Sequence, residues 1–358
     1  MNKIVFLKKL DAIVGSLLVR VLPAATAENQ LPADIKQVLF IRPGGIGDAV
    51  LLIPTIQALK ASIPHATIEV LAEKRNTTVF ELCPEVEQVF CYDNWRDWQK
   101  IFASRYDVII DTEQWHYLSA IIARLLRAPI RCGFATNERQ KLFTRTATYS
   151  HDEYEVDSFF ALLDALEIDV ETPPVGRFIQ ISTTLENRSH DLLPHLDTTP
   201  YVVLFPGASI MEKRWSGAAF HELAQRCNGL GYPVVVIGGG DDIRVGEMII
   251  ADLQGVSLAG KTSLAETAAI LKGAKLLVSG DSGVLHLAVG VDCPTVALFG
   301  PGIIKKWAPR GKKHRIVSLN LPCAPCTKFG TTPECVEGGR CIKDISVDMV
   351  WSEVKLLL

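Results

Sequence analysis

The sequence predicts an α/β protein of two doubly wound, Rossmann-like halves, each a parallel sheet covered by helices on both faces. Three observations predict it. From residue 37 onward, short β-rich runs alternate with longer helical stretches, the rhythm of βαβ units. Several runs end directly in turns rich in glycine and aspartate, where such sheets carry their ligand loops. A chain of 358 residues is also longer than one such half needs. Residues 276–301 show the unit most clearly. An apolar run ending at Ser279 is followed by Gly280-Asp281-Ser282-Gly283, a helical start at 284–289, and a second apolar run closed by Gly300-Pro301.

Taken in order, the elements begin with residues 1–22. Lys8, Lys9, Asp11 and Arg20 interrupt their apolar runs, whereas a signal core or a membrane span should be unbroken. On a helix, Lys8, Lys9, Asp11, Gly15, Ser16 and Arg20 fall on one half. Apolar residues such as Leu10, Ile13, Val14, Leu17, Leu18 and Val21 take most of the other. The segment is net basic, which suits an amphipathic helix lying on an anionic membrane surface; packing on the protein's own core or on another subunit is the alternative. Together with the linker that follows Pro23, this segment fills 1–33. A first half spans 34–185, with strands expected at 38–41, 67–71, 88–91, 108–110 and 130–133 and helices at 49–62 and 118–127. The stretch around 179–199 lacks strong periodicity, carries Pro194 and Pro200, and reads as the connection. A second half spans 195–345, with strands at 201–205, 234–237, 256–258, 276–279, 295–299 and 316–319. A closing helix occupies 346–358. Two such halves imply a central cleft.

Composition narrows the function. A net charge of −3 gives no general pull toward nucleic acid. Of nine cysteines, Cys83, Cys91, Cys132, Cys227 and Cys293 lie singly within expected elements, as buried thiols in a reducing compartment do.

Four motifs carry chemistry. Arg42-Pro43-Gly44-Gly45-Ile46-Gly47-Asp48 follows the first strand. Its glycines let backbone approach a ligand closely, and Asp48, at the start of a helix, is placed to take a proton from a hydroxyl. It is not the dinucleotide fingerprint, and Asp48 can equally serve as a helix N-cap. Pro206-Gly207-Ala208-Ser209 opens the second half and can present N–H groups and a hydroxyl to phosphate. Lys213, four residues on, can neutralise a departing diphosphate, or be one of a solvated Lys-Arg pair. Gly238-Gly239-Gly240-Asp241-Asp242 offers carboxylates to a ribose, or an ordinary turn with an aspartate cap. Gly260-Lys261-Thr262 places Thr262 to cap the next helix or to touch a nucleotide, capping being the simpler role. The turn at 280–283 completes an anion site at a helix N-terminus, with Asp281, Ser282, Gly283 and His286. Phosphate and ribose groups on the second half and one carboxylate on the first describe a group-transfer enzyme using a nucleotide donor. No Asp-x-Asp pair occurs, which argues against a metal-dependent transferase. On the acceptor side, Arg42, Gly44, Gly45, Gly47 and Arg75 are candidates, as are the cations Lys74, Arg131, Arg139, Lys141 and Arg145.

From about residue 37 to the end, these motifs resemble the lipopolysaccharide heptosyltransferases, glycosyltransferase family 9. The residues that carry the resemblance are Gly47-Asp48, Pro206-Gly207-Ala208 with Lys213-Arg214-Trp215, Leu258-Ala259-Gly260-Lys261-Thr262, and Asp281-Ser282-Gly283-Val284-Leu285-His286. The resemblance implies a GT-B fold, an inverting mechanism without an essential metal, a nucleotide-diphosphate sugar donor, typically ADP-heptose, and a lipopolysaccharide-core or other lipid-linked glycan acceptor. Taken with the basic amphipathic start, it points to a cytoplasmic enzyme, peripheral on the inner face of the inner membrane. Asp48 resembles the family's general base, Lys213 its donor-phosphate lysine, and Asp281, Ser282, Gly283 and His286 its donor turn. The same fold with another nucleotide-hexose, or a non-catalytic nucleotide-sugar-binding protein, are the competing readings.

Residues 322–341 hold Cys323, Cys326, Cys335 and Cys341 among prolines and glycines. Four clustered thiols suit structural zinc or iron. The family's similar loop is as a rule metal-free, which leaves free or redox-labile thiols as the other reading.

Overall fold

Two six-stranded, wholly parallel sheets share one strand order. The first contains β1 (Gln37–Arg42), β2 (Thr67–Ala72), β3 (Gln88–Cys91), β4 (Val108–Asp111), β5 (Ile130–Phe134) and β6 (Arg145–Ala147), ordered β3-β2-β1-β4-β5-β6. The second contains β7 (Val202–Phe205), β8 (Val234–Val236), β9 (Gly255–Ser257), β10 (Leu276–Gly280), β11 (Thr295–Leu298) and β12 (His314–Val317), ordered β12-β11-β10-β7-β8-β9. In each, the order reverses beside the first strand, between β1 and β4 and between β7 and β10. That reversal is the point where doubly wound sheets open a crevice for ligands. The structure is a computed structural model that describes residues 10–26, 30–171, 176–193, 195–196 and 199–358. The chain divides into two compact units, Met1–Pro173 and Pro174–Leu358.

The central strands are buried along nearly their whole length, which is why they read as unbroken apolar runs. Helix Ile46–Ser62 is buried on most of its circumference from Ala49 to Ile56. It begins three residues before the start expected at 49, on Gly45, because Gly44 takes a positive φ of 105° that turns the chain sharply out of β1. In the second unit, helix Gly217–Gly229 and the C-terminal helix Val347–Lys355 pack Phe220, Leu223, Val350 and Val354 against β7, β8 and β10.

Several elements differ from expectation. β6 is absent from the sequence reading because Arg145-Thr146-Ala147 is a three-residue edge strand with no apolar run. β12 begins two residues earlier, at His314, its register set by pairing with β11. Within 179–199, Thr183–Leu192 is a helix capped by Ser182. None of its residues is buried, so it carries no core-facing period. It is held by Lys272 on Glu186 and Arg188 on Glu266.

At the N-terminus, a π-helical turn Asp11–Gly15 runs into α-helix Ser16–Val21, and Val19 enters the first unit's core with Ala123, Leu126 and Phe143. The part of the helix expected over residues 1–9 lies outside the described residues. No helix among the described residues is long and apolar enough to cross a membrane.

Candidate active-site residues

In the first unit, the switch-point strands deliver a buried polar cluster. Arg42, the last residue of β1, has a side chain only 2% exposed. Its Nε donates to Pro43 O (2.8 Å) and its Nη1 to Thr112 O beyond β4 (2.6 Å). Its Nη2 reaches Asp48 Oδ2 at 3.4 Å and Glu113 Oε2 at 3.7 Å. Arg42 is thus buried, bridging the two switch-point strands and facing Asp48. Asp48 lies in the first turn of its helix. The N-cap is Gly45 and no side chain caps it, so the capping role is vacant and the Asp48 carboxylate, 28% exposed, is left facing Arg42 and solvent.

Behind this pair sits a buried group of which the sequence singled out only Arg139. Arg139, fully buried and expected at the surface, donates to Glu113 O and pairs with Asp111. Burial pushes the Asp111 carboxyl up even with Arg139 beside it. Burial would do the same to Glu113, but Arg42 foremost, then His116 and Arg139, hold that carboxyl below its ordinary range. Glu155 accepts from Gln114 Nε2 (2.5 Å) and from Tyr149 Oη (3.0 Å). The available signal was Asp111-Thr112-Glu113-Gln114, a polar tetrad directly after an apolar run. Of the other acceptor-side candidates, Gly44 N–H donates to Glu73 Oε1 (3.1 Å), and Arg75, exposed, pairs with Glu73 at 2.8 Å.

The second unit repeats the plan. Lys213, after β7, places Nζ 2.5 Å from Asp281 Oδ2, after β10. This pair also spans the switch point, with side chains 16% and 7% exposed. Lys213 is therefore not a solvated lysine. Its neighbours anchor it: Arg214 donates to Ala208 O through Nε (3.2 Å) and Nη2 (2.9 Å), and Trp215 Nε1 donates to Ile345 O (2.9 Å) from the core. The cap of helix Gly283–Gly290 is Ser282, whose Oγ accepts from Leu285 N–H (3.3 Å), and this leaves Asp281 to hold the lysine. His286 is buried one turn into that helix.

Two donor-side candidates have local partners of their own. Asp242 is buried and accepts from Gly239 N–H (2.9 Å), while Arg214 lies 3.8 Å away. A Cβ at Gly207 would stand 2.5 Å from the same carboxylate, so the two glycine turns approach each other around Asp242. Asp241 is exposed beside it. Thr262 does not cap: Ser263 does, in a capping box with Glu266, and Thr262 Oγ1 lies 3.0 Å from Thr267 Oγ1. Gly207 and Ala208 sit under Arg214, with Ser209 exposed at the loop tip.

All nine cysteines are free thiols. Burial pushes Cys132, Cys227 and Cys293 up to about 12, as expected of structural thiols. Cys341 is buried, Cys323 exposed, and Cys326 and Cys335 are half-buried. Burial and then the neighbouring thiols raise Cys326 and Cys341. Among the described residues, no three His, Cys, Asp or Glu side chains converge as metal ligands would. The loop's Cys326 and Thr327 N–H groups both donate to Pro301 O at 3.0 Å.

Residues 94–337 match glycosyltransferase family 9 (heptosyltransferase). Lipopolysaccharide heptosyltransferase 2 of Salmonella typhimurium LT2 is 26% identical over 311 residues, covering 79% of this chain and 88% of that protein. The crystal structure of a family 9 glycosyl transferase from Veillonella parvula superposes with a TM-score of 0.78 at 20% identity, covering 92% of this chain and 99% of the other. The E. coli ADP-heptose lps heptosyltransferase II structure gives 0.73 at 24% identity, over 90% and 98%. The two Rossmann-like units match the expected GT-B fold.

Proposed function

This chain belongs to glycosyltransferase family 9, and we propose that it transfers heptose from ADP-heptose, with inversion, onto a lipopolysaccharide-core or other lipid-linked glycan. The observation that carries this reading is the pair of ion-paired switch points. Beside each switch point a cation meets carboxylates: Arg42 with Asp48, and with Glu113 beyond β4, in one unit, and Lys213 with Asp281 in the other.

On this reading, Asp48 accepts the proton of an acceptor hydroxyl. The freed oxygen attacks the anomeric carbon from the face opposite the diphosphate. The new C–O bond forms as the bond to the diphosphate breaks, and the bonding pair leaves with ADP. Lys213, Ser209 and the N–H groups at the start of helix Gly283–Gly290 stabilise the departing charge. Such charge stabilisation assigns no step to a metal. The four-cysteine loop is read separately, as a structural zinc or iron site or as thiols. Metal analysis of protein purified without chelator decides it: about one ion per chain supports the site, and a stoichiometry near zero removes it. The reading also places the enzyme on the cytoplasmic face of the inner membrane, held through residues 1–22.

The test is calorimetric titration with ADP, UDP and GDP. Selective ADP binding supports the donor assignment. Preference for UDP or GDP keeps the transferase and overturns the heptose donor. Binding of none favours a non-catalytic protein.

A further inference from the structure

Two neighbouring helices of the first unit carry an apolar surface that the transfer chemistry does not use. The N-terminal helix lies along helix Tyr117–Leu125 and is fixed at both ends. At its start, Asp11 accepts from Tyr117 N–H (3.0 Å) and Leu118 N–H (2.7 Å), with His116 Nδ1 at 3.3 Å. At its end, Arg124 Nε donates to Pro23 O (3.3 Å), Lys141 Nζ to Arg20 O (3.1 Å), and Ala25 N–H to Lys141 O (2.8 Å). The stripe that faces the body is narrow, consisting of Gly15 and Val19.

The opposite face is apolar and open. Leu10, Ile13, Val14, Leu17, Leu18 and Val21 are exposed by 43% to 83%. Single exposed leucines need no explanation, but a contiguous row marks an interaction surface. The adjacent helix adds exposed apolar side chains of its own. Leu118 and Leu125, two turns apart on the adjacent helix, are 53% and 54% exposed. Leu118 lies at the Asp11 end and Leu125 beside Arg124 at the Pro23 end, so the second helix flanks the first along its length. The rim is basic: Arg20 and Arg127 are exposed, and Arg124 and Lys141 half-exposed, against the acid Glu138. An apolar face with a basic rim complements an anionic lipid surface, where side chains enter the acyl boundary and cations meet the headgroups.

We infer that the pinned N-terminal helix and helix Tyr117–Leu125 together form one docking face for an anionic bilayer. This goes beyond contact through residues 1–22, because it makes the folded domain part of the membrane surface. The Asp11 contacts then fix the first unit's orientation on the bilayer through the helical stretch Asp11–Val21. The inference rests on the membrane reading above only in naming lipid as the partner.

The experiment is co-sedimentation of the full chain with vesicles of phosphatidylcholine alone, and with about a third phosphatidylglycerol added. Wild type is compared with Leu118→Ser/Leu125→Ser and with Ile13→Ser/Leu17→Ser. Wild type should bind the anionic vesicles preferentially and release with salt. Each double variant should bind about tenfold more weakly, with the nucleotide-binding isotherm of wild type. Because all four side chains are exposed, that isotherm also reports intact folding. Anionic-vesicle binding by Leu118→Ser/Leu125→Ser equal to wild type would remove the domain from the face and overturn the inference. A concentration-dependent dimer that dissociates in Ile13→Ser/Leu17→Ser, with no vesicle binding, would also overturn it and make the face a contact between copies. Loss of transferase activity or of ADP selectivity in wild type would count against the proposed reaction and leave vesicle binding untouched.

Discussion

Replacing Lys213 by methionine should separate two jobs the lysine can do. The pair with Asp281 is at 2.5 Å and the carboxylate is only 7% exposed. Removing the cation leaves that charge nearly buried and uncompensated. A fully dry pair would lose about 3–5 kcal/mol on breaking; at the edge of a loop, where Lys213 keeps 16% exposure, about 1–3 kcal/mol is the better figure. For a unit spanning residues 174–358, that lowers the melting temperature by roughly 2–4 °C for each kcal/mol. If Lys213 also meets the donor diphosphate, ADP loses a charge-assisted contact of about 1.5–3 kcal/mol, a roughly 10- to 150-fold weaker Kd. The double variant Lys213→Met/Asp281→Asn removes both charges. It should recover most of the melting temperature and none of the ADP affinity. Thermal melting with calorimetry on wild type, the single variant and the double variant reads both quantities. A double variant that binds ADP as wild type does would refute the reasoning, because Lys213 would then serve only to neutralise Asp281.

Two further predictions follow from other sites. Arg42→Gln should strip Asp48 and Glu113 of the cation they share, leaving Glu113 with only the weaker support of His116 and Arg139, at a cost of about 1–3 kcal/mol. Adding Glu113→Gln should recover part of that loss in urea melts, and ADP binding should not change, because Arg42 lies in the other unit; wild-type stability in Arg42→Gln would contradict the bridge. Burial lowers His314, beside Thr295 Oγ1 at 2.9 Å, to about 4. The folded state therefore binds its proton later than the unfolded state does. Stability should be intact above about pH 6.5 and fall as the pH drops toward 4, by about 1–2 kcal/mol after discounting for partial exposure. Denaturant melts at pH 7.5 and pH 5 should show this slope in wild type and a smaller one in His314→Gln; parallel slopes would contradict it.

What the sequence made legible follows from burial. The central strands β1, β4, β7, β8, β10 and β11 are covered on both faces, so their apolar runs were visible to within a residue or two. β6 and helix Thr183–Leu192 bury little, and nothing in their composition marks them. Residue type singled out the glycine turns, Asp48, Lys213 and Asp281, and the structure brings Lys213 onto Asp281 and Arg42 onto Asp48. Partner choice was not legible. Whether a carboxylate caps a helix, grips an arginine or ties two loops depends on residues distant in the chain, such as Arg42 with Thr112 or Asp242 with Gly207. Arg42 and Arg139 were read as surface cations because arginine is usually exposed; here each is surrounded by carboxylates and carbonyl oxygens that replace water.

The measurement closest to the central claim is transfer itself, with ADP-heptose and a heptose-deficient lipopolysaccharide acceptor, following ADP release and the anomeric configuration of the product by NMR. Inverting transfer should give stoichiometric ADP, a product inverted at the anomeric carbon, and a rate reduced about 10²- to 10⁴-fold in Asp48→Asn with ADP affinity unchanged. A product of retained configuration, or near-normal turnover by Asp48→Asn, would contradict it.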